Sequence, residues 1–300
     1  MPAFILEKSR VTNLMMNKHL SGVGLGLRRE MLDQLLPNIP NSVDFWEVAP
    51  ENWIPLGGKY QKSLNQFTSA CNFVSHGLSL SIGSPDPLDI NFVKNIKAFL
   101  DRHNILYYSE HLSYCSGQGH LYDLMPIPFT EEAVKHVVER VKQVQDIIER
   151  PLLLENVSYY AAPGQEMTEQ EFTLSVLNES GCLMLLDVNN IYVNSINHGY
   201  DAETFLAAMP TGKIVYGHIA GHYDEAEDLK IDTHGADVIE PVWQLLQKAY
   251  EIHGVFPTLL ERDFNIPSIT ELLVEMEKIR TIQLRVQQKL SAQQQKQFKA

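Results

Sequence analysis

The feature that most constrains this chain is an alternation. Short apolar runs recur about eight times, at 21–28, 43–51, 72–83, 105–114, 151–154, 182–186, 213–218 and 258–260, and helical segments lie between most of them. Runs such as Leu152-Leu153-Leu154 and Leu183-Met184-Leu185-Leu186 are apolar throughout rather than alternating. That is the pattern of strands buried on both faces of a parallel sheet. The clearest helix is 130–150, where Val134, Val137, Val138, Val141, Val144, Ile147 and Ile148 make one continuous face. Thr130 can cap it, and Glu131 and Glu132 suit its positive end. Thr168-x-x-Glu171 and Ser268-x-x-Glu271 are capping-box patterns opening two more helices. Further helices are expected at 91–103, 201–209 and 238–252. No linker of distinct composition divides the 300 residues. The expected fold is a single α/β domain, a (β/α)8 barrel of the TIM type, at 21–285. An N-terminal arm at 1–20 and a polar tail at 286–300 flank it.

A barrel of this kind carries its active site at the C-terminal ends of its strands. Metal-competent residues sit at or near the ends of the apolar runs: His76, His111, Glu155, Asp187, His218 and Glu261. Asp232-Thr233-His234 follows the seventh run, and residues two apart in an extended segment point the same way. A lone histidine in an apolar strand is ordinarily a core residue; recurrence at equivalent places is what marks this set. Glu110 and His111 are adjacent, so only one can face inward, and His111 is expected to do so. Asn189 and Asn190 follow Asp187, and one of them would share its side only if the segment stays extended. Glu51, Glu110, Asn156, Asn189 and Arg262 are candidates for supporting or substrate-facing roles, each of which reads equally well as an ordinary loop hydrogen-bonder.

Imidazoles and carboxylates without thiolates suit iron, manganese or zinc. The set is too large for one ion, and carboxylates can bridge, so two or three ions are expected. Net charge of −13 opposes a life on nucleic acid. Cys71, Cys115 and Cys182 are scattered without CxxC spacing, which fits a reducing, cytoplasmic setting. No apolar signal region opens the chain, and no run approaches the ~20 residues of a membrane span. The glycines of 21–28 follow GxGxG rather than GxGxxG, so they read as a strand admitting a close neighbour, not as a dinucleotide loop.

The ordered set His76, His111, Glu155, Asp187, His218, Asp232, His234 and Glu261 resembles the xylose-isomerase-like barrels, and within these the multinuclear site of endonuclease IV type enzymes. Those enzymes carry a further histidine where this chain has Asn190, so Asn190 joins the candidate ligands. A closer resemblance spans nearly the whole chain. GVGLGLR, FWEVAPENW, HGLSLSIG, YSEHLSY, LLLENVSYY, LLDVNNIYVNS, HIAGH, DTHG and LLERDFNIP are similar to the multinuclear non-heme iron-dependent oxidase family, long filed as a domain of unknown function. The resemblance implies a TIM barrel with two or three irons, zinc or manganese being the alternatives. It also implies dioxygen-dependent modification of cysteines in a ribosomally made precursor peptide, with a separate peptide-recognition partner protein. The product is left open. The rival readings are a metal-dependent phosphodiesterase, a sugar isomerase or epimerase, and a non-enzymatic metal store or peptide chaperone.

Overall fold

The computed structural model describes residues 20–117 and 119–297. Eight parallel strands close on themselves: β1 (Val23–Gly26), β2 (Phe45–Val48), β3 (Phe73–His76), β4 (Tyr108–His111), β5 (Leu152–Glu155), β6 (Leu183–Asp187), β7 (Ile214–Ile219) and β8 (Thr258–Leu260), with β8 pairing back to β1. The connecting helices are α1 (Leu32–Leu35), α2 (Gly58–Ala70), α3 (Ile90–His103), α4 (Glu131–Ile148), α5 (Glu169–Ser180), α6 (Val188–His198), α7 (Ala202–Ala208), α8 (Glu240–His253) and α9 (Ile269–Gln297). This is the (β/α)8 barrel that the alternation predicts. Among the described residues, no helix is long and apolar enough to cross a membrane.

Two apolar layers hold it together. The outer one packs helices onto the barrel and includes Trp46, Phe67, Ile96, Val141, Phe172, Leu246 and Met276. The inner one is small: Phe45, Val74, Leu153, Leu185, Tyr216 and Leu259, all fully buried. Each inner residue belongs to a different strand. Because side chains alternate, the residue two positions on points to the same side, about 6.6 Å nearer the C-terminal mouth. Those residues are Glu47, His76, Glu155, Asp187, His218 and Glu261. On β4, buried Ser109 is likewise followed by His111. The apolar plug thus carries a polar tier directly above it. Gly24 shows how tightly the plug is filled, since a Cβ there would lie 2.3 Å from the Phe45 ring.

The helix ends follow the sequence. Thr130 accepts a hydrogen bond from the Ala133 N–H at 3.2 Å, and Thr168 with Glu171 forms the expected capping box. Ser268 and Glu271 make the same reciprocal contacts. Three features differ from expectation. The third run leaves the sheet after His76. The Leu78 and Ser79 N–H groups donate to Glu51 at 2.9 and 3.1 Å, and the Leu80 N–H donates to Glu110 at 3.0 Å, so side-chain carboxylates replace a strand ladder at 78–80. Long loops fold back as hairpins, pairing Tyr114–Ser116 with His120–Met125 and Tyr223–Ala226 with Leu229–Ile231. The stretch from 286, expected as a polar tail, continues α9 to Gln297. The expected arm at 1–20 lies outside the described residues apart from Leu20.

Candidate metal centre

The tier above the plug gathers into three overlapping sets. His76, His111 and Glu155 form the first; Glu155, Asp187, His218 and Glu261 the second; His234, Glu261 and Asp263 the third. Within each set one potential ligand atom from every residue lies within 4.8 Å of the others. Glu155 belongs to the first two sets and Glu261 to the last two, so the three are linked by shared carboxylates. Barrel closure explains the grouping. His111 sits beside Glu155 in the β4–β5 register, and Asp187 beside His218 in β6–β7.

The contacts have a consistent peculiarity. Glu155 Oε2 lies 3.2 Å from His76 Nε2 and 3.4 Å from His111 Nε2, yet accepts no hydrogen bond. His218 Nδ1 lies 3.0 Å from Glu261 Oε2, and neither atom has a hydrogen-bond partner. His234 Nε2 is 2.7 Å from Asp232 Oδ1, again without hydrogen-bond geometry. Asp187 Oδ2 and Asn190 Oδ1 are buried without partners as well. Buried polar atoms are normally satisfied. Atoms this close that do not point at one another point at shared space, as ligands do around a cation. Nitrogen and oxygen donors without sulfur make the set fit a divalent transition metal rather than a structural zinc.

Electrostatics describe the same pressure. Burial works against the His218 imidazolium, but Glu47 and Glu261 outweigh it and hold the pKa well above the usual range. Burial, then Glu155 and Asp232, push the Asp187 carboxyl well above its ordinary value. Glu155 is held well below its own; burial opposes this, but His76 and His111 dominate. Burial and then His76 bring His111 down to about 4, while His76 rises to about 9 because Glu155 overcomes the cost of burial. Without a cation, protons on imidazoles and on Asp187 offset the clustered carboxylates.

The remaining candidates take definite places. Asp232 stands beside His234 and accepts from Ser158 Oγ at 3.0 Å and Asn189 Nδ2 at 2.8 Å. Asn189 therefore supports Asp232. Asn190 instead lies against Asp187, because the segment is helical: Asp187 caps α6 and accepts the Asn190 N–H at 2.6 Å. Asn156 clamps the Asp187 backbone, donating to its carbonyl at 2.8 Å and accepting its N–H at 3.0 Å. Glu51 and Glu110 hold the turn after His76; burial and then Glu51 push Glu110 up to about 8. Arg262 donates to Asp237 at 2.9 Å and Glu275 at 2.8 Å, tying the end of β8 to α9.

Three residues escaped the sequence reading. Asp263 lies 3.0 Å from His234 Nδ1 and pairs with Arg28. His222 is 2.8 Å from Asn189 Oδ1 through its Nδ1. Glu47 is buried, with Oε2 3.1 Å from His218 Nε2 and 2.8 Å from the Tyr216 hydroxyl. Glu47 follows Phe45 by two, the same spacing that links Val74 to His76, and that signal could have found it.

Known proteins place this geometry in a family. Solved structures that resemble the chain include L-ribulose 3-epimerase, with a TM-score of 0.61 at 12% identity, covering 91% of this chain and 98% of that one. The IOLI protein with a binding zinc atom gives 0.58 at 14% identity, covering 89% and 98%. At such identities the likeness is one of fold, the xylose-isomerase-like barrel. Sequence relatives are nearer. A UPF0276 protein of Shewanella sediminis is 68% identical over 90% of this chain and 97% of its own length. Another, from Pseudomonas aeruginosa, is 52% identical over 90% and 95%. The family model described as the RiPP precursor modification enzyme MbnB/TglH/ChrH matches residues 22–284, which is nearly the whole barrel. By that match the chain belongs to the MbnB/TglH/ChrH family of RiPP precursor modification enzymes.

Proposed function

We propose that this protein is a multinuclear iron-dependent oxidase that uses dioxygen to modify cysteines of a ribosomally made precursor peptide. The observation that carries the reading is the linked set of buried, unpartnered ligand atoms at the mouth of a barrel of this family. His76, His111 and Glu155 would hold one ion. Asp187, His218 and Glu261, with Glu155 shared, would hold a second, and the buried, unpartnered Asn190 Oδ1 would be a further, weaker donor. His234, Glu261 and Asp263 would hold a third, with Asp232 beside His234. Bound iron would supply thiolate binding and electron transfer to dioxygen.

The chain itself supplies access and fixation. The His218 side chain is 0% exposed, whereas His111 is 15% and His234 14% exposed. Substrate would therefore meet the two ends of the cluster, with the centre closed off behind them. Asn156 and Asn190 fix the start of α6, so that Asp187 keeps its position as substrate enters. Leu78, Tyr160, Tyr223 and Phe264 are exposed in the segments that follow β3, β5, β7 and β8. An apolar, partly aromatic rim at those strand ends suits a peptide better than a free sugar. A separate partner that presents the peptide belongs to the same reading.

The test is turnover. Anaerobically iron-loaded protein is mixed with synthetic cysteine-containing peptides, chosen from any short reading frames near its gene, and exposed to oxygen. Oxygen uptake in step with a mass change at peptide cysteine is expected. Unchanged peptide, with ketose epimerisation by the manganese-loaded protein, would refute the reading and favour a sugar epimerase.

A further inference from the structure

Beneath the cluster runs a buried chain of hydrogen-bonding groups that crosses the barrel. His76 Nδ1 is 2.8 Å from Ser109 Oγ, and Ser109 Oγ is 2.8 Å from the Tyr216 hydroxyl. Tyr216 donates to Glu47 Oε2 at 2.8 Å, and the same oxygen lies 3.1 Å from His218 Nε2. The five residues come from β3, β4, β7 and β2, and all are buried. The chain starts at one candidate ligand and ends at another.

Counting protons gives it a direction. An ionised carboxylate only accepts, so Tyr216 spends its one proton on Glu47. Its oxygen then faces Ser109 Oγ with lone pairs at 2.8 Å, a contact that needs a proton between the two oxygens, so Ser109 donates there rather than to its longer alternative, the Ser75 carbonyl at 3.3 Å. With that proton used, Ser109 meets His76 Nδ1 as an acceptor, and His76 Nδ1 must carry a hydrogen. At the other end, His218 Nε2 donates to Glu47. In the neutral form that binds a metal, each imidazole then has its second nitrogen unprotonated and turned to the cluster: Nε2 of His76 beside Glu155 and His111, and Nδ1 of His218 beside Glu155 and Glu261.

We infer that Glu47 is a positioning residue that sets the tautomers of two metal-binding histidines on opposite sides of the barrel, His218 directly and His76 through Tyr216 and Ser109. The inference rests on the metal-centre reading above and adds a single buried anion that organises it from below. It also accounts for opposite ring nitrogens being presented by His76 and His218. Hydrogen-bonded supports of this kind ordinarily change metal affinity tenfold to a hundredfold when removed.

The test uses zinc as a diamagnetic probe on the full-length protein. Zinc affinity is measured by chelator competition, and histidine tautomers by 15N imidazole NMR of the loaded protein, for wild type, Glu47→Gln and Tyr216→Phe. Wild type is expected to show Nδ1–H on His76 and Nε2–H on His218. Tyr216→Phe cuts the chain while sparing the Glu47–His218 contact. It should weaken one zinc about tenfold and perturb the His76 signals alone. Glu47→Gln should perturb both histidines and weaken zinc by about ten- to a hundredfold. If Glu47→Gln does not fold, Tyr216→Phe, which removes a single oxygen, decides the matter. Unchanged tautomers and affinities in Tyr216→Phe, in a protein that binds zinc, would overturn the positioning role alone. A wild-type protein that binds no zinc would overturn the metal-centre reading and this inference with it.

Discussion

Replacing Glu155 by Gln should be far more damaging to metal loading than replacing Asp263 by Asn, although both remove one carboxylate charge. Glu155 stands between two sets, with Oε2 facing His76 and His111 and Oε1 3.6 Å from His218 Nδ1. Asp263 belongs to the last set only. At free metal a hundredfold above Kd, each bound ion stabilises the fold by about 2.7 kcal/mol. Losing two sites therefore removes about 5 kcal/mol of metal-linked stability, and losing one removes about 3 kcal/mol. In a chain of this size that is about 10 °C against about 5 °C in the melting temperature of the loaded protein. In the metal-free protein His76 and His111 hold Glu155 charged, so Glu155→Gln should lower the melting temperature there as well, and the metal-linked loss is the difference between the loaded and metal-free proteins. Scanning calorimetry with and without metal, beside elemental analysis of each variant, gives both quantities. Equal losses for the two variants would refute the claim that Glu155 is shared. So would a Glu155→Gln protein that keeps the wild-type metal content.

Other perturbations probe the scaffold. Burial pushes the Glu169 carboxyl up to about 7, despite Asn194 Nδ2 donating to it at 3.2 Å. The folded state then retains a proton that the unfolded chain releases, so stability should fall as pH rises from about 4.5 to about 7. Glu169→Gln should abolish that decline and be more stable by up to about 3 kcal/mol above pH 7, measured by urea unfolding across pH; a parallel decline in the variant would contradict it. A Cβ at Gly77 would meet Glu110 Oε1 at 2.1 Å and the Tyr108 hydroxyl at 2.5 Å. Gly77→Ala should therefore cost about 1–3 kcal/mol of stability, and an unchanged denaturation midpoint would count against the packing described. Asn156→Ala leaves the Asp187 N–H without its partner, and should cost about 2 kcal/mol and weaken metal binding; wild-type stability and loading would show that the clamp is idle.

The barrel was legible because its strands are buried on both faces, so runs such as 151–154 announce themselves without any long-range information. The ligands His76, His111, Glu155, Asp187, His218 and Glu261 were legible as a set, because each lies at or near the end of an apolar run. Where reading fell short, the cause is specific. At the second strand Pro50 marks Glu51 as the strand-end carboxylate, whereas Glu47 lies inside the run, and only the inner plug shows that Phe45 and Glu47 share a side. The helix Gly58–Ala70 buries only Ser63, Leu64 and Phe67 and has no long apolar stripe to betray it. Asp187 was read as the end of a strand, which it is, but it also caps α6, and that helix decides between Asn189 and Asn190. Asp263 reaches His234 only because the segments after β7 and β8 meet over the mouth, a contact that no local pattern encodes.

The account depends most directly on how many metal ions the folded chain holds, and which. Protein purified anaerobically from iron-supplemented cells should contain two or three irons per chain by elemental analysis, with Mössbauer spectra of a coupled cluster. Zinc or manganese alone, or a single ion, with no gain of activity on iron loading, would contradict it.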